Sequence, residues 1–128
     1  MTPRCGCEGL RGWELVYCLA PPPGEYELTY RIGEGVIAAI TREGVVLRRY
    51  KLPGGLPYIE YFESKVSPAI LEARGISSEE ALCQAVEALA EAARAGSRIA
   101  GRVIDECRGL VDEVTARCRE RRRLHGEP

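Results

Sequence analysis

The chain has 128 residues, of which 45% are apolar and 29% charged, and its formal net charge is −1. This size is typical of one domain with its own hydrophobic core, and so small a charge gives no global attraction to nucleic acid or anionic lipid. No apolar run approaches the roughly 18 residues of a membrane-spanning helix, and the first residues lack the apolar segment of a signal peptide, so we expect a cytoplasmic protein.

The first half of the chain alternates apolar and polar residues with the period of two that is typical of β-strands. Gly and Pro separate the segments, and Gly44 occupies the position of a short hairpin connection, 41–44, that needs a positive φ. Connections this short favour antiparallel neighbours. The predicted strands are 13–19, 25–32, 36–40, 45–52 and 58–62, with a loop at 53–57 before the last.

Helical signals fill residues 67–123. A Ser–Pro pair at 67–68 starts a short helix that Gly75 ends. Ser77 opens a capping box with the glutamate three residues later, which starts a second helix. The Gly–Ser pair at 96–97 separates this helix from a last one, and so short a break predicts an antiparallel helical hairpin.

The last helix is predicted to run uninterrupted for about 25 residues, or about 38 Å. Its apolar residues recur at spacings of four and three, as in a heptad seam, and further apolar residues widen the stripe. The seam consists of Ala100, Ile104, Cys107, Val111, Val114 and Cys118, flanked by Ile99, Val103 and Leu110.

These elements together predict an α+β fold in a single domain, 1–128. The predicted order is an N-terminal antiparallel β-meander of four to five strands, then a short helix, then a C-terminal antiparallel helical hairpin. The corresponding segments are a Cys-containing segment at 1–12, the meander at 13–63, the helices at 67–123 and a tail at 124–128.

Composition decides how the cysteines are interpreted. The chain has no Asn and one Gln, and we expect a thermophilic source because heat-adapted proteins avoid residues that deamidate. Hyperthermophiles tolerate intracellular disulfides, so structural bridges are the favoured interpretation, with free core thiols, a metal site and redox chemistry as alternatives. The disulfide candidates are Cys5, Cys7, Cys18, Cys83, Cys107 and Cys118. In a hairpin centred on Gly96, Cys83 falls within a turn of Cys107, which predicts a Cys83–Cys107 bridge.

Motifs that carry chemistry are weak. A metal site would have to use Cys5, Cys7 and Cys18, with His125 as a further ligand, but C-x-C spacing without a second pair is not typical of zinc. His125 lies in a terminal Arg-rich stretch, poorly placed for nucleophilic catalysis. We therefore predict no catalytic, metal-binding or cofactor-binding residues and no cofactor. An enzyme built from Glu and Cys side chains is the third-ranked alternative.

The end of the last helix is rich in arginine, with Arg117, Arg119, Arg121, Arg122 and Arg123 as candidates for contact with nucleic acid. An arginine cluster at this place has an ordinary explanation, because cations stabilise the C-terminal end of a helix. These arginines also spread around the helix, so they do not form the single stripe that a nucleic-acid groove would contact. Nucleic-acid binding is therefore the alternative function.

The favoured function is that of a non-enzymatic interaction module, a small subunit or adaptor that acts by self-association or by docking in a larger assembly. The long apolar stripe of the last helix predicts an interface and a homodimer. The interface candidates are Ile99, Val103, Leu110, Val111 and Val114.

Overall fold

The computed structural model of the chain describes residues 5–22, 27–51 and 60–124. Its elements, in chain order, are α1 (Gly12–Leu19), β1 (Leu28–Gly33), β2 (Val36–Thr41), β3 (Gly44–Lys51), β4 (Glu60–Val66), α2 (Ala69–Glu72), α3 (Ser78–Arg94), α4 (Arg98–Glu106) and α5 (Arg108–Leu124). A four-stranded antiparallel sheet is followed by helices, so the predicted α+β class is confirmed. None of the helices in these ranges is long and apolar enough to cross a membrane.

The sheet is a meander in which the strand order β1-β2-β3-β4 follows the chain and every neighbouring pair is antiparallel. The turn between β2 and β3 pairs Thr41 with Gly44, and the Thr41 hydroxyl donates to the Gly44 carbonyl at 2.9 Å. Gly44 has φ +126°, a conformation that suits glycine alone, so the predicted hairpin is confirmed. The last strand continues to Val66, beyond its predicted end at 62, and the loop predicted at 53–57 lies outside the described residues.

The prediction of a strand at 13–19 is wrong, because these residues form the helix α1. Side chains four residues apart share a face in a helix and in a strand, so Trp13 and Tyr17, whose ring centroids are 6.3 Å apart, fit both patterns. The burial of Val16 distinguishes a helix from a strand. It is fully buried beside Leu15 and Leu19, which fits a helix face and not a strand face.

One face of the sheet packs against the helices and forms the main core. Leu28, Ile40 and Val45 lie side by side across β1, β2 and β3, and all three are buried. Burying a side chain of this size contributes about 1.5–3 kcal/mol, so the sheet and helices stabilise each other. The helical side of this core consists of Leu15, Val16, Leu19, Leu71, Ala81, Leu82, Ala85, Val86, Val111, Val114 and Cys118.

α3 and α4 form a helical hairpin. The Ser77 Oγ accepts the backbone N–H of Glu80 at 3.1 Å, as the capping box predicts. Gly96 turns the chain at φ +107°, and the Ser97 Oγ caps α4 by accepting the N–H of Ala100 at 3.1 Å. A second, smaller core where the two helices meet consists of Leu89, Ala92 and Ala100.

The prediction of one uninterrupted last helix is wrong. Cys107, with φ −112° and ψ 27°, separates α4 from α5. The Cys107 N–H still donates to the Val103 carbonyl at 2.9 Å, and its carbonyl accepts the Val111 N–H at 2.8 Å, so the interruption is a kink and not a loop. The kink falls at the residue whose sulfur is bonded to Cys5, a long-range tie that no helical pattern reports.

Beyond the kink, α5 crosses α3 instead of extending the hairpin. Contacts between them include Glu79 with Arg117, Cys83 with Cys118, and Glu87 with Arg122. These contacts follow the same order along both helices, whereas an antiparallel pair would show the reverse order. The hairpin is therefore made by α3 and α4, and α5 is anchored to α3 by its own covalent bond.

Tyr30 connects the sheet to α3. Its hydroxyl donates to the Gln84 Oε1 at 2.7 Å. Burial of the ring, with a smaller contribution from the Glu80 carboxylate, raises the pKa of Tyr30 to about 12. The neutral phenol is therefore the form that the folded state favours.

We predict that Tyr30 lowers stability at alkaline pH. An unfolded tyrosine loses its proton near the ordinary pKa of 10.0, whereas folded Tyr30 keeps its proton until about pH 12. Because the unfolded state then binds fewer protons, the free energy of unfolding should fall between these two values, and Tyr30→Phe should remove this part of the fall. The difference in tyrosinate absorbance between wild type and Tyr30→Phe should have its midpoint near pH 12. A midpoint near the ordinary value would contradict the prediction.

Candidate functional site

All six cysteines lie in pairs at disulfide-bonding distance. The pairs are Cys5–Cys107, Cys7–Cys18 and Cys83–Cys118, separated by 102, 11 and 35 residues along the chain. The predicted pairing of Cys83 with Cys107 is wrong. That prediction assumed one straight helix after Gly96, but the kink leaves Cys107 bonded to the N-terminal segment and places Cys118 next to Cys83.

Two of these disulfides lie side by side. The Sγ atoms of Cys5, Cys7 and Cys107 all lie within 4.8 Å of one another, and the three residues are buried. The Sγ of Cys18 is bonded to that of Cys7. We call these four residues the sulfur cluster.

The sulfur cluster is assembled from three separate segments. Cys5 and Cys7 lie in a turn in which the Leu10 N–H donates to the Cys7 carbonyl at 3.3 Å. Cys18 belongs to the last turn of α1, and Cys107 is the kink residue between α4 and α5. From the sequence, a metal site would have used Cys5, Cys7 and Cys18 together with His125. His125 lies outside the described residues. The side chain that joins them is that of Cys107.

A cleft of about 550 Å³ opens beside the sulfur cluster, which is within the size range of small-ligand sites. The turn at 6–10 and helix α1 line one part of it, and α4 lines another. Most of its surface is apolar. We call it the cysteine cleft, and its lining residues are Gly6, Cys7, Leu10, Glu14, Tyr17, Cys18, Arg42, Val103, Glu106 and Cys107.

Among the described residues, three charged side chains line the cysteine cleft: Glu14, Glu106 and Arg42. Within the described ranges none of the three forms an ion pair or a side-chain hydrogen bond, so their charges are available to a bound group. Burial, followed by the charge of Glu72, raises the pKa of Tyr17, so its hydroxyl stays protonated and can donate a hydrogen bond. The cleft thus combines an apolar surface with two carboxylates and one guanidinium.

The Arg-rich end of α5 is partly engaged by carboxylates. The ion pairs are Arg117–Glu79 at 2.7 Å, Arg122–Glu87, and Arg123–Glu120 at 2.8 Å. Arg119 and Arg121 form no ion pair with the part of the chain that the structure describes. Exposed ion pairs of this kind contribute little free energy, so the phosphates of a nucleic acid could compete for the arginines. Nucleic-acid binding stays a prediction.

The interface candidates separate into two groups. Val111 and Val114 are buried in the main core, so they are not available to a partner in this fold. Ile99 is 52% exposed, while Val103 and Leu110 are partly buried against the core. A homodimer stays a prediction, and its interface would have to use the surface around Ile99 instead of the whole stripe.

No family model, no curated protein and no solved structure matches this chain.

Proposed function

We propose that the protein is a non-enzymatic binding module that docks a segment of a partner protein in the cysteine cleft. The observation that supports this most directly is the cleft itself, a mostly apolar depression large enough for one or two side chains. Its charged residues have no ion-pair partner among the described residues, whereas Glu79 and Glu87 of α3 are each paired with an arginine of α5.

The cleft is held open by covalent bonds. Cys7–Cys18 ties the N-terminal turn to α1, and Cys5–Cys107 ties the same turn to the kink after α4. Both walls are therefore fixed before a ligand arrives. A preformed site loses little conformational entropy on binding, which favours affinity for a short peptide.

The charges of the cleft specify the occupant. Among the described lining residues, two carboxylates, Glu14 and Glu106, outnumber the guanidinium of Arg42. An apolar side chain of the partner would cover Leu10 and Val103, and a neighbouring lysine or arginine would meet the carboxylates. The proposed ligand is thus a peptide with a large apolar residue next to a basic one.

Selection from a displayed library of random peptides tests this proposal. Oxidised wild-type protein should enrich sequences that combine a large apolar and a basic residue. For a synthesised enriched peptide, Glu14→Lys should weaken binding by about tenfold or more, because an opposite charge is replaced by a like charge. Titration calorimetry measures the dissociation constant of each variant.

Glu91→Lys is the matched control, because it makes the same charge change on an exposed residue of α3 that lies outside the cleft. It should leave the dissociation constant unchanged. Enriched peptides without a basic residue, or peptides that bind Glu14→Lys and wild type equally well, would overturn the proposal.

A further inference from the structure

The sulfur cluster has the size of a metal site. A zinc ion bound tetrahedrally by four thiolates has Zn–S bonds of about 2.3 Å, which separates neighbouring sulfurs by roughly 3.8 Å. Three of the sulfurs, those of Cys5, Cys7 and Cys107, already lie within 4.8 Å of one another, and the Cys18 sulfur is one bond away from that of Cys7. Breaking the two disulfide bonds would let the bonded sulfurs separate to this spacing around one ion.

We propose that the sulfur cluster, when its two disulfides are reduced, binds one zinc ion through the thiolates of Cys5, Cys7, Cys18 and Cys107. A dithiol reductant transfers two electrons and two protons to each disulfide and becomes a disulfide itself. The four thiols that result lose four protons to solvent when they bind Zn²⁺, and the complex carries a net charge of −2. The expected cytoplasmic location is one in which dithiol reductants are available.

The surroundings of the sulfur cluster allow both the movement and the charge. Gly6, between two of the ligands, is exposed and has no heavy atom within 4 Å of where a Cβ would lie, so the turn has room to adjust. Cys18 is the least buried of the four and lines the cysteine cleft, which gives the ion a path from solvent. The guanidinium of Arg42 lines the same cleft and the positive end of α5 begins directly after Cys107, and these offset the carboxylates of Glu14 and Glu106 that also line it.

Zinc would replace the cross-links that reduction removes. Both Cys5–Cys107 and Cys7–Cys18 join the N-terminal segment to the rest of the core, and a tetrathiolate centre would join the same segments. Metal binding to a site that needs the folded chain stabilises the fold. The protein would thus exchange between two cross-linked forms, a disulfide form and a zinc form.

Cobalt is the probe that tests it, because four-thiolate cobalt has an intense visible absorption that reports both ligand type and tetrahedral geometry. The protein of choice is Cys83→Ala/Cys118→Ala, which keeps only the four cysteines of the sulfur cluster. After reduction and removal of reductant and metal, it should bind one cobalt ion per chain with the four-thiolate spectrum. Zinc should displace the cobalt, and reduced wild type should give the same spectrum.

Removing one ligand should weaken binding by more than the roughly 10- to 100-fold that changes outside the ligand shell cost. Cys107→Ala in the same background is the direct test, with circular dichroism as the check on folding. Where that variant fails to fold, the two cobalt titrations above still decide.

The inference is overturned by absence of the four-thiolate spectrum, by a stoichiometry other than one, or by full-strength binding without Cys107. Peptide docking is measured on oxidised, metal-free protein, so either proposal can fail alone.

Discussion

Replacing Val114 with Asp should prevent the chain from folding. Val114 is fully buried in the core between the helices and the sheet, and none of the described residues is a buried cation that could pair with a new carboxylate. Burying an unpaired charge costs several kcal/mol, and the lost burial of the valine side chain adds about 1.5–3 kcal/mol. Because small domains are stable by only about 5–15 kcal/mol, the sum removes most or all of the stability. Circular dichroism and thermal melting measure the result.

Ile99→Asp is the matched control, since Ile99 lies one helix earlier and is 52% exposed. This change should alter the free energy of unfolding by no more than about 0.5 kcal/mol. It also tests the predicted homodimer: light scattering should show dissociation if the surface around Ile99 is the interface. A folded Val114→Asp variant that dissociates would mean that Val114 lies at an interface between chains, contrary to the burial described above.

The three disulfides should contribute to stability in the order of the loops they close. In the chain-entropy model, loops of 102, 35 and 11 residues correspond to roughly 4.7, 3.8 and 2.8 kcal/mol. The three paired Cys→Ala variants should therefore lose free energy of unfolding in the order Cys5/Cys107, Cys83/Cys118, Cys7/Cys18. Denaturation of oxidised, metal-free protein by guanidinium measures each loss.

The order, more than any single value, is the test. Wild type reduced in the presence of a chelator is the control, and it should be less stable than any of the three paired variants. If the Cys7/Cys18 variant loses the most, then native packing around α1, and not the entropy of the unfolded chain, determines the contribution of the bridges.

Local sequence signals predicted the local structure well. The turn glycine at Gly44, the capping serine Ser77 and the break at Gly96 all act within a few residues, and the structure has each in its predicted place. The failure at α1 has a local cause as well, because seven residues are too few to separate a period of two from one of 3.6 when the apolar residues lie four apart.

The candidate site could not be predicted in the same way. Cys107 lies more than a hundred residues from Cys5, and neither spacing nor periodicity reports a contact at that distance. The cysteine cleft depends on the same contact, since Val103 and Glu106 line it only because the kink at Cys107 is tied to the N-terminal turn. One signal was available: if all six cysteines are paired, the three in the first eighteen residues leave at least one that must bond to a distant partner.

The bond between Cys5 and Cys107 also determines how the molecule would respond to force. When the chain is pulled from its two ends, tension passes through that bond and bypasses the sheet, so the residues between the two cysteines cannot be extended. An unfolding machine that threads substrates through a narrow pore would have to admit several strands of the oxidised chain at once, but a single strand of the reduced chain. The number of disulfides that remain closed would thus determine how many strands must enter the pore together.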